Sequence, residues 1–319
     1  MIDNIIESFN SSAGAYVVES NSTDSDIIKW LDINIQHHED LLLKHGFILF
    51  RGFNLDVISK CEEFVNLTCN EVMFEYGDLP KEKGSKNIYM STPYPEDRMI
   101  LYHNEGSHLN SWPTRQFFAC VIPSTQGGNT PVVDCRKIYN KLDPIVREKF
   151  AQKGLLYSRT FYSYLDVSWQ DFYHTNDKNV VEDKIIISGG KFTWDSDGTL
   201  TVVQHADAIK KHYQTNESIF FNQIMLHHPH FLDEQLKQIY TSMFKENRYP
   251  RNVTFGDGSK IDEEILDDLL NLYNQEAVSF PWQKGDLLMC DNMLVAHARN
   301  PFKGERKIIV GLGNPLSSI

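Results

Sequence analysis

Apolar positions recur along the chain at two spacings, and the spacing predicts where helices give way to strands. From Thr23 to Lys44 they return at helical intervals, with Thr23 or Ser25 placed to cap the helix and Gly46 to end it. Phe47-Ile48-Leu49-Phe50 reads as a short buried strand. A second amphipathic helix is expected from about Val57 to Val72, carried by Ile58, Cys61, Phe64, Val65 and Val72. Lys81 to Asp97, rich in Lys, Gly, Ser and Pro, reads as irregular: a surface loop, or a flap over a site. Met99 to Glu105 is expected to be a strand, Ser107 to Pro113 a loop, and the apolar run Arg115 to Ile122 a central strand. Gly127-Gly128 breaks the chain before a short Val132-Val133-Asp134 strand. Asp143-Pro144 supplies a cap and first-turn proline for a helix ending near Gly154.

The second half is richer in strands. Leu155 to Tyr162 and Ser218 to Gln223 fit strands, and Phe192 to Val203 fits a hairpin turned by Asp197-Gly198. Helices are expected over Asp233 to Glu246 and Asp262 to Asn274. Three short strands close the chain: Leu287 to Cys290, Leu294 to Ala298 and Arg306 to Leu312. Many short strands with Gly/Asn/Asp turns and helices near the ends suggest a mainly β fold with flanking helices. The architecture expected is a double-stranded β-helix, or jelly roll, of the cupin-like kind. No linker, repeat or low-complexity segment divides residues 1–319, so one domain is the simplest reading.

Composition narrows the function classes. Lys and Arg total 31 against 43 Asp and Glu, a formal net charge of −12, which disfavours nucleic-acid binding through a general positive field. The five cysteines form no C-x-x-C pair, and several lie in apolar runs, so reduced thiols and a cytoplasmic setting are expected. The first residues lack a basic start followed by an apolar core, and no apolar run is long enough to span a membrane.

Candidate chemistry centres on Tyr102-His103-Asn104-Glu105. In an extended strand side chains two apart share a face, so His103 and Glu105 can present a nitrogen and an oxygen to one point. A lone His-x-Glu is common as ordinary surface polarity. His297, in Asp291-Asn292-Met293-Leu294-Val295-Ala296-His297, is the third candidate; a core histidine bonded to main chain fits its apolar surroundings equally well. Together the three would make the two-His-one-carboxylate face of non-haem Fe(II) oxygenases, with positions left for co-substrate and O2. Arg306 enters the apolar strand Ile308-Ile309-Val310, where a charge needs a partner, and its fork suits a carboxylate. An arginine at that distance from such a metal describes 2-oxoglutarate binding. Thr130 could add a hydroxyl to the same carboxylate, or be a turn residue. Lys307, next to Arg306, would alternate to the opposite face.

Leu101-Tyr102-His103-Asn104-Glu105, Trp112-Pro113, Phe117-Phe118-Ala119-Cys120, Gly127-Gly128-Asn129-Thr130-Pro131 and Asp134-Cys135-Arg136 resemble the taurine-catabolism dioxygenase superfamily. So do Phe221-Asn222-Gln223, Pro250-Arg251-Asn252, Phe255-Gly256-Asp257-Gly258, Phe280-Pro281-Trp282-Gln283-Lys284-Gly285-Asp286 and Asp291 to His297. The resemblance runs in order from about Leu41 to Leu312 and is greatest to the syringomycin-type amino-acid hydroxylases of natural-product assembly. It implies a jelly-roll Fe(II)/2-oxoglutarate dioxygenase using O2. It places His103, Glu105 and His297 at the metal and Thr130 and Arg306 at the co-substrate. Most of the superfamily has Asp where this chain has Glu105, as the amino-acid-hydroxylating branches do. Related halogenases carry a small residue there, so Glu105 argues against halogenation.

The substrate implied is an amino acid or amino-acid derivative, free or carried on a carrier protein, hydroxylated at an unactivated C–H. Asn104, Ser107, His108, Arg159, Gln223 and Arg299 are candidate substrate contacts, with Arg299 placed to hold a carboxylate. Each is also readable as structural. Arg136 is readable as a structural pair with Asp134. His227-His228-Pro229-His230 fits a loop better than a zinc site, and His37-His38 fits a solvated helix face. The rival readings are desaturation or cyclisation with the same cofactors, a zinc hydrolase at the same three residues, and a jelly-roll binding protein without chemistry.

Overall fold

The computed structural model describes residues 5–10, 14–22, 26–74, 79–163, 165, 167–245 and 248–317. Its main layer is a seven-stranded sheet in the order Ile5–Asn10, Ala15–Ser20, Phe47–Arg51, Leu287–Asp291, Ser111–Ile122, Lys307–Ser317, Ile88–Met90. Every pairing is antiparallel except that of Ala15–Ser20 with Phe47–Arg51. A three-stranded antiparallel sheet, Ile100–His103, Val295–Arg299 and Val132–Asp134, forms the second layer. The pair of sheets is a jelly roll that does not close into a barrel. A four-stranded sheet, Lys191–Trp194, Leu200–Ala206, Leu155–Phe161 and Arg251–Phe255, stands beside it.

Alternation along the central strand sorts its apolar residues between two cores. Phe117 and Ala119, with Ile309 and Met289 from its neighbours, pack outward against the helices Ile27–His45 and Ile58–Thr68. Phe118 and Cys120, with Ile308, Val310 and Leu288, face Val132, Val295 and Trp282 across the interior. Both faces of the sheet are therefore covered, which is why Arg115 to Ile122 reads as a continuous apolar run rather than an alternating one.

The first helix starts one turn later than its pattern suggests. Asp26 caps it, accepting from the Lys29 amide at 3.1 Å, and the expected caps Thr23 and Ser25 lie outside the described residues. Gly46 ends it in the left-handed region (φ 81°), its N–H bonded to the Leu42 carbonyl, and a Cβ there would lie 2.6 Å from Val295. The second helix stops at Thr68, not Val72. Additional helices cover Cys135–Lys141, Trp169–Tyr173, Lys178–Ile187 and Ile224–His227, and the last strand runs on to Ser317. Among the described residues no helix is long and apolar enough to cross a membrane.

His38 overturns the expectation of a solvated His37-His38 face. His37 stays half-exposed and meets Glu7 at 3.0 Å, but His38 is 2% exposed, packed by Trp30 and Phe50. Neither ring nitrogen of His38 has a partner among the described residues. Burial is the main reason its pKa falls to about 4. The folded state thus favours the neutral ring, so this contribution is intact above about pH 6.5 and is lost as pH falls toward 4. Between pH 7 and 5 the wild type should lose about 2 kcal/mol more unfolding free energy than His38→Leu, measured by urea titration. Parallel losses in the two proteins would refute this.

Candidate metal centre

His103 is the last residue of its strand, and it pairs across the sheet with His297. The two rings lie 4.1 Å apart between centroids, with Phe118 packed against His297. The strand ends at His103, so Glu105 does not reach its place by simple alternation. It sits in the turn that Gly106 opens, with its Oε2 3.9 Å from His103 Nε2. What holds it there is Asn292: its Oδ1 accepts from the Glu105 amide at 2.7 Å, and its Nδ2 donates to the Glu105 carbonyl at 2.8 Å and to Pro113. Asn104 answers from the other side, donating to the carbonyls of Asn292 and Val295. The two asparagines lock the His103–Glu105 turn to the turn that leads into His297.

All three side chains are buried, and one donor atom from each lies within 4.8 Å of the others. The Leu101 carbonyl can only accept, so the bond to His103 Nδ1 puts the proton there and leaves Nε2 as the lone-pair nitrogen facing Glu105. Burial, reinforced by His103, holds His297 well below the usual imidazole range, so it too is neutral and able to ligate. Two neutral imidazoles and one carboxylate gathered at one point fit a ferrous ion.

The cavity at these residues is also lined by Thr130, Arg299, Arg306, Gln116, Ile308 and Val310. Arg306 donates Nε to the Gly128 carbonyl at 2.9 Å, and no carboxylate pairs with it among the described residues. Burial, then the Arg299 guanidinium, lowers its pKa to about 10. Gly128 must lack a side chain: its φ is +71°, and a Cβ would stand 2.4 Å from Ser124 Oγ and 3.0 Å from Arg306 Cδ. The Thr130 hydroxyl accepts from Trp282 Nε1 at 3.2 Å. Lys307 turns away from the cavity and pairs with Glu82 at 2.7 Å, as alternation requires.

A family model, "Taurine catabolism dioxygenase TauD, TfdA family", matches residues 13–312. The chain belongs to that family. It is a non-haem Fe(II)- and 2-oxoglutarate-dependent dioxygenase, with O2 as oxidant. It is 29% identical over 303 residues to the dapdiamide synthesis protein DdaC of Enterobacter agglomerans, covering 94% of this chain and 91% of that one. Its fold resembles a taurine dioxygenase from Burkholderia xenovorans (TM-score 0.57, 15% identical, 98% of this chain and 91% of that chain). It also resembles the PvcB protein from Pseudomonas aeruginosa (TM-score 0.53, 14% identical, 93% and 84%). A second structure of PvcB describes it as an Fe, alpha-ketoglutarate dependent oxygenase from an isonitrile synthetic pathway.

Of the six expected substrate contacts, only Arg299 lines this dioxygenase's metal cavity. The Asn104 amide is taken up by main chain: Nδ2 donates to the Asn292 and Val295 carbonyls, and Oδ1 accepts from the Asn222 N–H. Gln223 likewise donates to the Asn104 carbonyl at 3.0 Å and meets His227 at 3.2 Å. Arg299 turns its fork onto carbonyls of residues 94–98 instead of leaving it open for a carboxylate. Ser107 and His108 are buried beyond Glu105, His108 beside Tyr157 and His227. Arg159 lies over the rings of Phe161 and Phe172. Arg136 forms the expected pair with Asp134 at 2.8 Å, and also ties down the main chain at Leu43 and Lys44. His230 meets Asp267, so the histidine cluster forms no metal site among the described residues.

Sequence reading did not single out Asn292, and it placed His227 in a loop, whereas His227 ends the helix Ile224–His227 and is buried. Asn292 sits within a quoted motif, but its role depends on a turn whose partner lies 187 residues away. Asn292→Ala should weaken Fe(II) binding by roughly 10- to 100-fold in anaerobic titration, the usual scale for a lost outer-shell partner. Unchanged affinity would remove the clasp from the site.

Proposed function

We propose that this dioxygenase hydroxylates an unactivated C–H bond of an amino acid or amino-acid derivative in natural-product assembly. The substrate is either free or delivered on a carrier protein. In this reading His103, Glu105 and His297 hold the iron, and Thr130 and Arg306 take the far carboxylate of 2-oxoglutarate. The observation that carries it is Arg306, a half-buried guanidinium without a carboxylate partner among the described residues, in the same cavity as a complete iron-type donor set. When bound there, ferrous iron with 2-oxoglutarate and O2 supplies the oxidant, with succinate and CO2 as co-products.

The protein's contribution is placement and exclusion of water. Phe118, Ile308 and Val310 wall the cavity with apolar surface, and Asn292 fixes the backbone of the metal carboxylate. The cavity's fixed charges are one carboxylate and two guanidiniums. A divalent ion and a dianionic co-substrate cancel each other there, leaving one positive charge uncompensated. A carboxylate presented there by a free substrate would offset it locally, which supports an acid-bearing, amino-acid-like molecule; a substrate held on a carrier as a thioester would leave it to the carbonyls of residues 94–98. Ser107, whose buried hydroxyl has no partner among the described residues, is proposed with His108 and Arg159 to face the substrate beyond Glu105. DdaC's name, a dapdiamide synthesis protein, and PvcB's isonitrile pathway support a biosynthetic setting. The first and last strands share one sheet, which supports reading the chain as one catalytic domain.

Anaerobic titration with Fe(II) and 2-oxoglutarate should develop a visible charge-transfer band, followed by succinate release once O2 and an amino-acid substrate are added. His297→Ala should lose the band and the turnover while remaining folded. Arg306→Ala should raise the 2-oxoglutarate dissociation constant about 10- to 100-fold, the scale of a lost charged hydrogen bond, and leave iron affinity nearly unchanged. Turnover without O2 would overturn the proposal, and equal loss of iron and co-substrate in Arg306→Ala would make Arg306 a folding residue.

A further inference from the structure

Arg299 follows His297 by two residues and is 7% exposed, yet no carboxylate pairs with it among the described residues. Its donors go to the main chain of a single short segment. Nη1 donates to the Tyr94 carbonyl at 3.1 Å, and Nη2 to those of Pro95 at 2.5 Å and Arg98 at 2.8 Å. The guanidinium also lies over the rings of Tyr94 and Phe302, and the Phe302 amide donates to the Glu96 carbonyl at 2.8 Å. At the near end of the segment the Ser91 amide donates to the Ile308 carbonyl at 3.3 Å.

This segment is a partition. Ser91 and Thr92 line the metal cavity, while Pro93 lines a separate outer cleft of about 540 Å³ floored by Gln170 and His174. Leu79 borders both spaces. Irregular main chain has few ladder bonds to hold it, so three charge-assisted bonds from one buried side chain are a large part of its attachment, beside the Ser91 and Phe302 amide bonds and the Arg98–Asp233 ion pair. The dependence is mutual, because the carbonyls also solvate a buried guanidinium that forms no ion pair among the described residues.

We infer that Arg299 is a positioning residue: it buckles the 91–98 strap over the co-substrate cavity, and so sets how firmly that cavity is closed from the outer cleft. A dianion bound beside Arg306 adds an attractive charge to the cavity that the docked Arg299 fork also lines, so co-substrate binding and strap closure strengthen each other. This coupling rests on the assignment of the cavity to 2-oxoglutarate; the buckle itself does not.

Hydrogen exchange of the anaerobic Fe(II)-loaded enzyme tests both. In Arg299→Met, amides of residues 91–98 should exchange at least tenfold faster while the central sheet is unchanged, and the 2-oxoglutarate titration should shift at least tenfold with the iron endpoint kept. Unchanged strap exchange, or equal acceleration throughout the central sheet, would overturn the buckle. A second arm needs no variant: saturating 2-oxoglutarate should slow strap exchange in the wild type at least threefold. If 2-oxoglutarate binds without slowing the strap and Arg299→Met fails to fold, the inference is lost. A strap loosened by Arg299→Met but indifferent to 2-oxoglutarate in the wild type would keep the buckle and remove the co-substrate assignment.

Discussion

The reciprocal clasp of Asn104 and Asn292 is the constraint on which the site depends. Gathering the donor atoms of His103, Glu105 and His297 at one point needs two distant turns held at fixed separation, and strand pairing alone does not achieve this. Pairing fixes His103 opposite His297, but the ladder ends there, and the carboxylate lies past its end. Each asparagine amide reads the other turn's main chain, satisfying buried carbonyls and the Glu105 N–H in one arrangement. Side-chain-to-backbone bonds of this kind stabilise irregular structure where sheet bonds are missing. Buried and fully satisfied, they also specify geometry, because any displacement leaves polar groups unpaired in a dry interior. The Asp291 carboxylate adds a third tie, capping Met293 and Leu294 through one oxygen and meeting His212 through the other.

The strands were legible because they obey local rules. The apolar run of Arg115 to Ile122 and the breaks at Gly46 and Gly127-Gly128 each encode their element in adjacent residues. That His103, Glu105 and His297 would gather at one point was legible only through the motif, since nothing local to His297 separates a ligand from a core histidine. The rest failed where long-range contact decides. His38 looks like a polar helix position until Trp30 and Phe50 close over it. Asn104, Gln223 and Arg299 are polar residues beside a motif, which invites a substrate role, yet each is consumed by main chain that the sequence does not place nearby. Short helices such as Trp169–Tyr173 and Ile224–His227 are too brief to show a period.

Two arginines in one cavity divide the handling of charge between them. Arg306 gives one donor to Gly128 and keeps its fork without an anionic partner among the described residues, whereas Arg299 gives its fork to the strap. Burial is the main reason the Arg306 pKa is lowered, and the like charge of Arg299 lowers it further. Glycine at 128 lets the arginine stem lie against the main chain.

Glu105 in place of the shorter Asp follows from the same geometry. A carboxylate on a regular strand, two residues from a histidine, would project beside it, and a short stem would suffice. Here the strand stops at His103, Asn104 donates its own N–H to the Asn222 carbonyl, and the chain bends through Gly106 at φ +69°. Glu105 therefore approaches the centre from a turn, and the additional methylene restores the reach that the turn removes. An added methylene also adds a rotatable bond, which would blur the ligand's position if its backbone were loose. Asn292 holds that backbone at both its N–H and its carbonyl, so the longer side chain starts from a fixed root. Ligand length and clasp are thus two halves of one solution, and a shorter acid on this turn would leave the carboxylate short of the two imidazoles.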